Sequence, residues 1–175
     1  MPRKQSGLTL IELLVVVTIG AILMTIGVPA MANFVAENRV TAKTNLMMAH
    51  IQYARHSAVT LRSNVVACPS ADQQKCSGDN RWDQGWIIFI DRSNNRHHPD
   101  RPEDILRVVP PEPRLLLHSA GRTRVRFQPM GGAFGTNLTI RVCDAHGQAQ
   151  ARAIVVSNPG RVRVRRDVGE VECSV

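Results

Sequence analysis

Apolar residues fill the N-terminal part of the chain with hardly a break. From residue 8 to residue 32 the only charged side chain is that of Glu12. A membrane-spanning helix needs about 20 apolar residues, so this segment is long enough to cross a bilayer. Pro29 predicts a kink near the end of the segment, because proline removes one helical hydrogen bond and clashes with the preceding turn.

The apolar pattern becomes one-sided after Pro29. Over residues 33–62, apolar and small side chains recur at steps of three and four, which is the spacing of one helix face. Small and polar members of this stripe favour packing onto a β-sheet over a coiled-coil seam. The stripe consists of Val40, Thr44, Met47, Ile51, Ala54, Ala58 and Leu61.

After residue 63 the pattern changes to short apolar runs separated by turn residues, which is typical of strands. A helix followed by such a run predicts an α+β fold, with the helix covering one face of an antiparallel sheet. The β-rich domain is expected to occupy residues 63–175. The predicted strands are 64–68, 86–90, 105–109, 114–118, 122–127, 138–143, 153–157 and 161–166.

Basic residues lie directly before the apolar segment. Arg3 and Lys4 precede it, and such a basic flank stays in the cytoplasm, so everything beyond the span is expected to be exported. The apolar run is too long for an ordinary signal peptide, and no small-residue cleavage site follows it. The alternative is a cut after Gly7, which would remove residues 1–7 as a leader and leave Leu8 as the new N-terminus of the apolar segment.

Four cysteines lie in the exported part, where disulfides are favoured over free thiols. They allow three pairings, and the sequence does not choose among them. We expect Cys68 to pair with Cys76 and Cys143 with Cys173, the second bond fastening the C-terminal tail to a core strand. Zinc is the competing interpretation, although neither spacing is C-x-x-C.

Arginine dominates the positive charge of the chain. The formal net charge is +8, and only three of the 22 basic residues are lysines. The planar guanidinium group suits bidentate contact with phosphate or carboxylate, so the bias points to an anionic partner. With only 4% aromatic residues, nucleic-acid contact has to rely on charge more than on base stacking.

Two predicted strands carry arginine at every second position. In each, alternation sends the arginines to one face and the apolar residues to the other, with neighbouring arginines about 6.6 Å apart. The alternative is a solvated face of edge strands whose charges discourage aggregation. The first row is Arg122, Arg124 and Arg126; the second is Arg161, Arg163, Arg165 and Arg166.

The N-terminal segment strongly resembles the type III signal of type IV pilins and type II secretion pseudopilins. Gly7, Leu8, Thr9, Glu12 and Pro29 carry that resemblance. It implies cleavage by prepilin peptidase at Gly7, methylation of the new terminal amine of Leu8, and assembly with other pilins into a filament. Glu12 is expected to pair with the terminal amine of a neighbouring subunit, because a carboxylate in the bilayer needs a cationic partner.

The exported part resembles the GspH/FimT family of minor pilins. In FimT members that act in natural transformation, a glycine followed by Arg-x-Arg contacts DNA, and Gly160, Arg161 and Arg163 match that pattern. Arg165 and Arg166 extend the basic run beyond it. Further similarity lies in the Cys68-Pro69-Ser70 element, Trp82 and residues 85–91, 127–131 and 153–163.

The sequence therefore predicts a minor pilin that binds double-stranded DNA without sequence preference for uptake. Its expected location is the bacterial inner membrane, with a periplasmic globular domain, and the pilus after assembly. The alternative is a structural minor pilin or type II secretion pseudopilin at the filament tip that primes assembly. No catalytic motif, cofactor or metal site is expected: a polar stretch at 91–100 lacks the glycine and closing glutamate of a calcium loop.

Overall fold

A single long helix precedes the β-rich part of the molecule. The computed structural model describes residues 9–166 and Cys173, in which helix α1 spans Leu10–Thr60. The helix begins at Thr9, whose side-chain oxygen accepts a hydrogen bond from the backbone N–H of Glu12. The helix continues on both sides of Pro29, which lies inside it.

The two halves of α1 have different surroundings. Its N-terminal half is exposed, apolar and long enough to cross a membrane. Its C-terminal half buries the predicted stripe on the β-domain, including Val40, Met47 and Ile51 at 0% exposure. Thr44 fits this apolar face because its hydroxyl donates to the Val40 carbonyl oxygen. Leu61 is the exception, at 46% exposure, because it caps the helix instead of continuing it.

Within residues 9–166, eight strands follow the helix in two antiparallel sheets, close to the predicted boundaries. One sheet has the order β3-β2-β1-β5 and is named here the first sheet; the second sheet has the order β4-β6-β7-β8. The antiparallel α+β fold is therefore as predicted. The strands are β1 (Asn64–Pro69), β2 (Trp86–Asp91), β3 (Ile105–Val109), β4 (Leu115–Ser119), β5 (Val125–Phe127), β6 (Leu138–Asp144), β7 (Arg152–Val156) and β8 (Val162–Arg165).

The main core lies between α1 and the inner faces of the two sheets. Alternate residues of each strand point into it, as the pleat requires. In β6, for example, Leu138, Ile140 and Val142 are buried in this core. Most core side chains are aliphatic, and Trp82, Trp86 and Phe127 supply the large aromatic volume.

The outer face of the first sheet is also covered. Val66, Ile87 and Phe89 form a second, smaller cluster there with Cys68, which is bonded to Cys76. The loop after β2 folds over the same side, since the His97 carbonyl oxygen accepts a hydrogen bond from the Cys76 backbone N–H. Little of this face is left to solvent.

The second disulfide ties the end of the chain to the second sheet. It joins Cys143 in β6 to Cys173, with a distance of 6.0 Å between their Cα atoms. The corresponding distance in the first disulfide is 5.5 Å. Both bonds therefore join the expected pairs. Cys143 lies on the outer face of β6, opposite the core-facing residues, so Cys173 is held on that outer side.

Candidate nucleic-acid interface

A tight turn joins β7 to β8 and positions the second arginine row. The backbone N–H of Gly160 donates to the Ser157 carbonyl oxygen at 2.8 Å, and that of Ser157 donates to the Arg161 carbonyl oxygen at 3.0 Å. The side chain of Ser157 donates to the same Arg161 oxygen. These bonds fix the backbone of Arg161 at the exit of the turn, where its side chain is exposed.

Gly160 is required by the packing of this turn against a neighbouring loop. Its φ angle is +80°, in the left-handed region that favours glycine. A Cβ atom at this position would lie 1.9 Å from the Gly131 carbonyl oxygen. The sequence pattern predicted a role for Gly160 but not its contact with Gly131, because a close contact between two distant loops leaves no local signal.

Helix α1 supports the same contact. The Arg55 Nε donates to the Gly131 carbonyl oxygen at 3.0 Å, and the Ala133 backbone N–H donates to the Asn158 carbonyl oxygen at 2.8 Å. The turn of residues 157–161, the loop of residues 128–135 and the last turns of α1 thus form one connected end of the domain. Arg55 is a supporting residue that the sequence analysis did not identify.

Strand β8 presents its arginines to solvent. It is an edge strand of the second sheet, and Val162 and Val164 pack against the main core. Alternation then directs Arg161 and Arg163 away from the core, and both are exposed. Within the described residues neither guanidinium group forms an ion pair, so both are available to an external anion.

The surrounding charge favours an anion at this end. Between residues 105 and 166 the sequence has only two acidic residues, Glu112 and Asp144. Glu112 pairs with Lys43, which lies several helical turns before Arg55 in α1. Asp144 is the last residue of β6, whereas Leu138 at the other end of that strand lies beside the arginine turn. The acidic residues that follow Arg166 lie outside the described residues.

The site lies at the end of the domain farthest from the apolar half of α1. Arg55 contacts the loop beside the turn, whereas Glu37 accepts a hydrogen bond from the Gln150 backbone N–H at the opposite end of β7. With a rise of about 1.5 Å per residue, Arg55 stands about 35 Å along the helix from Ala32, where the predicted span ends. A ligand at Arg161 would therefore be well clear of a bilayer.

A cleft of about 580 Å³ opens beside the arginine pair. Thr139 and Val155 form part of its lining, and Val155 is the register partner of Arg163. Arg122 lines the other side and donates from Nη1 to the Gly135 carbonyl oxygen. The cleft therefore lies between Arg122 and the β8 arginines.

The first arginine row differs from its prediction. Strand β5 begins only at Val125, so Arg122 and Arg124 precede it instead of extending it. Val125 and Phe127 are buried in the core as expected. Arg124 contacts the His97 ring at 3.3 Å, so the three side chains do not form one exposed row.

Arg126 is enclosed rather than exposed. It lies on the covered outer face of the first sheet, 3.7 Å from Asp91 Oδ2, and only 14% of its side chain is exposed. Burial lowers the pKa of Arg126, the nearby Arg96 guanidinium adds to this effect, and Asp91 opposes it. The loop that covers this face could not be assigned to it from strand alternation.

The last two arginines of the predicted basic run have different environments. Arg165 is half-buried and makes an interaction within the molecule, so it is not a free cation. Arg166 is exposed directly after β8. The structure therefore leaves Arg161, Arg163 and Arg166 as the exposed part of the second row.

The residues of the N-terminal signal lie far from this site. Gly7 and Leu8 fall outside the described residues. Glu12 is exposed in the first turn of α1, and Pro29 is exposed within the helix. Both belong to the apolar half of α1, at the opposite end of the helix from Arg55 and the arginine turn.

The long apolar helix packed on two antiparallel sheets defines the class of pilin-like proteins. The chain belongs to the GspH family, because residues 43–160 match the family model described as type II transport protein GspH. Residues 2–28 match the prokaryotic N-terminal methylation motif. The chain is thus a minor pilin or pseudopilin of a type IV pilus or type II secretion system.

Solved structures show the same fold at low sequence identity. The type IV minor pilin FimU of Pseudomonas aeruginosa has a TM-score of 0.53 and 21% identity, over 73% of this chain and 89% of that one. The minor pseudopilin EpsH of Vibrio cholerae has a TM-score of 0.52 and 7% identity, over 73% and 96% of the two chains. No curated protein sequence matches this chain.

Proposed function

We propose that this chain is a minor type IV pilin that binds double-stranded DNA through Arg161 and Arg163 for uptake. The observation that supports this most is the exposure of both guanidinium groups on an edge strand, at an end of the domain with few acidic residues. Repulsion between like charges makes such a pair unfavourable unless solvent or an anion screens it. The phosphate backbone of DNA is such an anion, because it presents its negative charges in a row.

The spacing of the pair fits one strand of a nucleic acid. Residues two apart on a β-strand are separated by about 6.6 Å, which is close to two nucleotide steps of about 3.4 Å each, measured along the axis of a DNA duplex. Contacts to phosphate carry no base information, so binding is independent of sequence. That property suits a protein that takes up any DNA it meets.

Arg122 and Arg166 extend the proposed contact. Arg122 lies just after β4, at the opposite edge of the second sheet from β8, and the cleft separates it from Arg163. The two cationic positions are therefore spread across the width of the sheet, which allows them to reach different parts of a duplex backbone. Arg124 and Arg126 have no part in the proposal, because Arg124 contacts His97 in the loop after β2 and Arg126 contacts Asp91 at the end of β2.

Assembly is assigned to the N-terminal segment. In this proposal prepilin peptidase of the inner membrane cuts after Gly7, the amine of Leu8 is methylated, and the globular domain faces the periplasm. Glu12 is exposed on the single chain, and in this proposal its cationic partner is the terminal amine of a neighbouring subunit. Glu12→Val should prevent entry into filaments while leaving DNA binding by the isolated chain intact; unchanged incorporation would contradict this role.

The DNA-binding proposal can be tested with the full chain in a non-ionic detergent. The paired substitution Arg161→Ala with Arg163→Ala should lower affinity for a 30-base-pair duplex and reduce the slope of log K against log salt by about 1.8, at about 0.9 per phosphate contact. A matched control is Arg101→Ala with Arg114→Ala, which removes the same charge at exposed positions elsewhere. Equal losses in both variants would indicate only general attraction to a basic protein.

The second candidate is a structural minor pilin or secretion pseudopilin that primes assembly without binding DNA. The family description and the fold shared with EpsH favour it. Under this alternative the paired arginine substitution changes neither DNA binding nor filament formation, whereas Glu12→Val impairs piliation or secretion. The paired arginine substitution therefore separates the candidates, because Glu12→Val should impair assembly under both.

A further inference from the structure

Two large apolar side chains are exposed in the loop that packs against the arginine turn. Met130 is 91% exposed and Phe134 is 58% exposed. Single exposed apolar residues are common on proteins, so exposure by itself assigns no role. The position of these two residues, between fixed cationic groups, is the informative feature.

The loop is held on both sides of Phe134. The preceding residue, Ala133, donates from its backbone N–H to the Asn158 carbonyl oxygen in the arginine turn. The following residue, Gly135, accepts a hydrogen bond from Arg122 Nη1. Phe134 is therefore fixed between the elements that carry Arg161 and Arg122.

The ring of Phe134 is also held by its own loop. A Cβ atom on Gly132 would lie 2.4 Å from the ring, so the ring rests directly on the glycine backbone. The Gly131–Gly160 contact and the Arg55 hydrogen bond to Gly131 fix the start of the same loop. An aromatic side chain held in this way loses little conformational freedom when a ligand covers it.

We propose that Met130 and Phe134 form an apolar part of the DNA-binding surface, contacting sugars and base edges beside the phosphates held by Arg161 and Arg163. This inference rests on the proposed function and goes beyond it, because it adds a contribution that salt does not weaken. Apolar side chains of this kind, Phe and Met included, contact or wedge into the minor groove in several classes of DNA-binding protein. A lipid ligand does not fit a site about 35 Å along the helix from the predicted span.

Salt dependence separates the apolar contribution from the ionic one. Full-length protein in non-ionic detergent would be titrated with a fluorescent 30-base-pair duplex at several salt concentrations, from about 50 to about 250 mM, the range over which phosphate contacts weaken strongly. For Met130→Ala with Phe134→Ala, affinity should fall by about 5- to 50-fold at every salt concentration, with the slope unchanged. Phe134→Tyr keeps the ring and should retain affinity close to that of the unsubstituted chain.

Two controls make the result specific. Val108→Ala truncates another exposed apolar residue, at 43% exposure on an edge strand of the first sheet, and should leave binding unchanged. Thermal melting should show that the loop variants remain folded. Wild-type affinity in the double variant, or a loss only in filament incorporation, would overturn the inference and indicate a protein contact instead.

Failure of the inference can be distinguished from failure of the proposed function. If the unsubstituted chain does not bind the duplex, the proposed function fails and the inference with it. If that chain binds and the paired arginine variant loses affinity while the Met130 and Phe134 variant does not, the proposed function stands and the apolar contact alone is rejected.

Discussion

Arg126 in β5 and Arg163 in β8 belong to segments with the same alternating arginine pattern, but their environments in this protein are opposite. In β5 the alternation sends Arg126 to the outer face of the first sheet, where a loop and Asp91 enclose it. In β8 it sends Arg163 to the outer face of the second sheet, where the side chain is exposed. Alternation determines which residues share a face but not what covers that face.

The difference follows from what lies beside each strand. The long connection between β2 and β3 folds back over the first sheet and supplies groups that surround Arg126. Strand β8 is an edge strand, and the turn before it is fixed against the loop of residues 128–135. An arginine row therefore remains exposed only where no long connection returns across it.

The largest effect is expected from a change in the turn that positions the exposed row. Gly160→Ala should destabilise the domain by about 3–5 kcal/mol, because it combines a left-handed backbone with overlap against the Gly131 carbonyl oxygen. Gly135→Ala is the matched control: its φ angle is +72° and no atom lies within 4 Å of the added Cβ. The control should cost about 1–2 kcal/mol in chemical unfolding.

Equal costs for the two alanine variants would show that strain in the backbone, rather than the contact between loops, fixes the turn. The position of Arg161 would then be independent of the neighbouring loop, and that loop would not explain why the second arginine row is exposed. A second readout is DNA affinity, which should fall for Gly160→Ala and stay unchanged for Gly135→Ala.

Truncating the enclosed and the exposed arginine tests the contrast directly. Arg126→Ala should destabilise the domain by about 2–3 kcal/mol, since it leaves Asp91 buried without its cation. The effect stays below that of a fully buried pair because Asp91 keeps a hydrogen bond from the Arg96 backbone N–H. Arg163→Ala should change stability by less than about 0.5 kcal/mol.

Unfolding in urea at neutral pH measures both values. If Arg126→Ala proved as harmless as Arg163→Ala, the enclosure of Arg126 would have no energetic consequence. The two strands would then differ in geometry alone, and Arg126 would return as a candidate for DNA contact.

The sequence predicted the fold well because local signals determine most of it. The stripe from Val40 to Ala58 and most of the strands follow from periodicity. Disulfide formation follows from the expected compartment, whereas the sequence did not determine which cysteines pair. The same reasoning predicted only part of the candidate site. The enclosure of Arg126 and the contact of Gly131 with Gly160 arise from segments distant in sequence, which no local pattern reveals.

Arg126 and Arg163 should also differ in their contribution to DNA binding. The free-energy change is expected to be smaller than the one in the stability test. Arg163→Ala should reduce the slope of log K against log salt by about 0.9, because one phosphate contact is lost. Arg126→Ala should leave the slope unchanged when measured well below its melting temperature. Fluorescence anisotropy over a salt series gives both slopes, and a reduced slope for Arg126→Ala would mean that the enclosed side chain reaches DNA.

The smallest effect is expected when the positive charges are kept and only the shape of the charged group is changed. Arg161→Lys with Arg163→Lys retains two cations, so the salt slope should stay within about 0.3 of the original value. Affinity should fall only about two- to fivefold, because an ammonium group cannot make the bidentate phosphate contact of a guanidinium group. The same exchange at Arg126 should instead show up as reduced stability without any effect on binding. A smaller slope of log K against log salt in the Arg161→Lys and Arg163→Lys variant would mean that phosphate contacts had been lost although both charges remained. The exposed row would then act through a defined geometry and not through its charge.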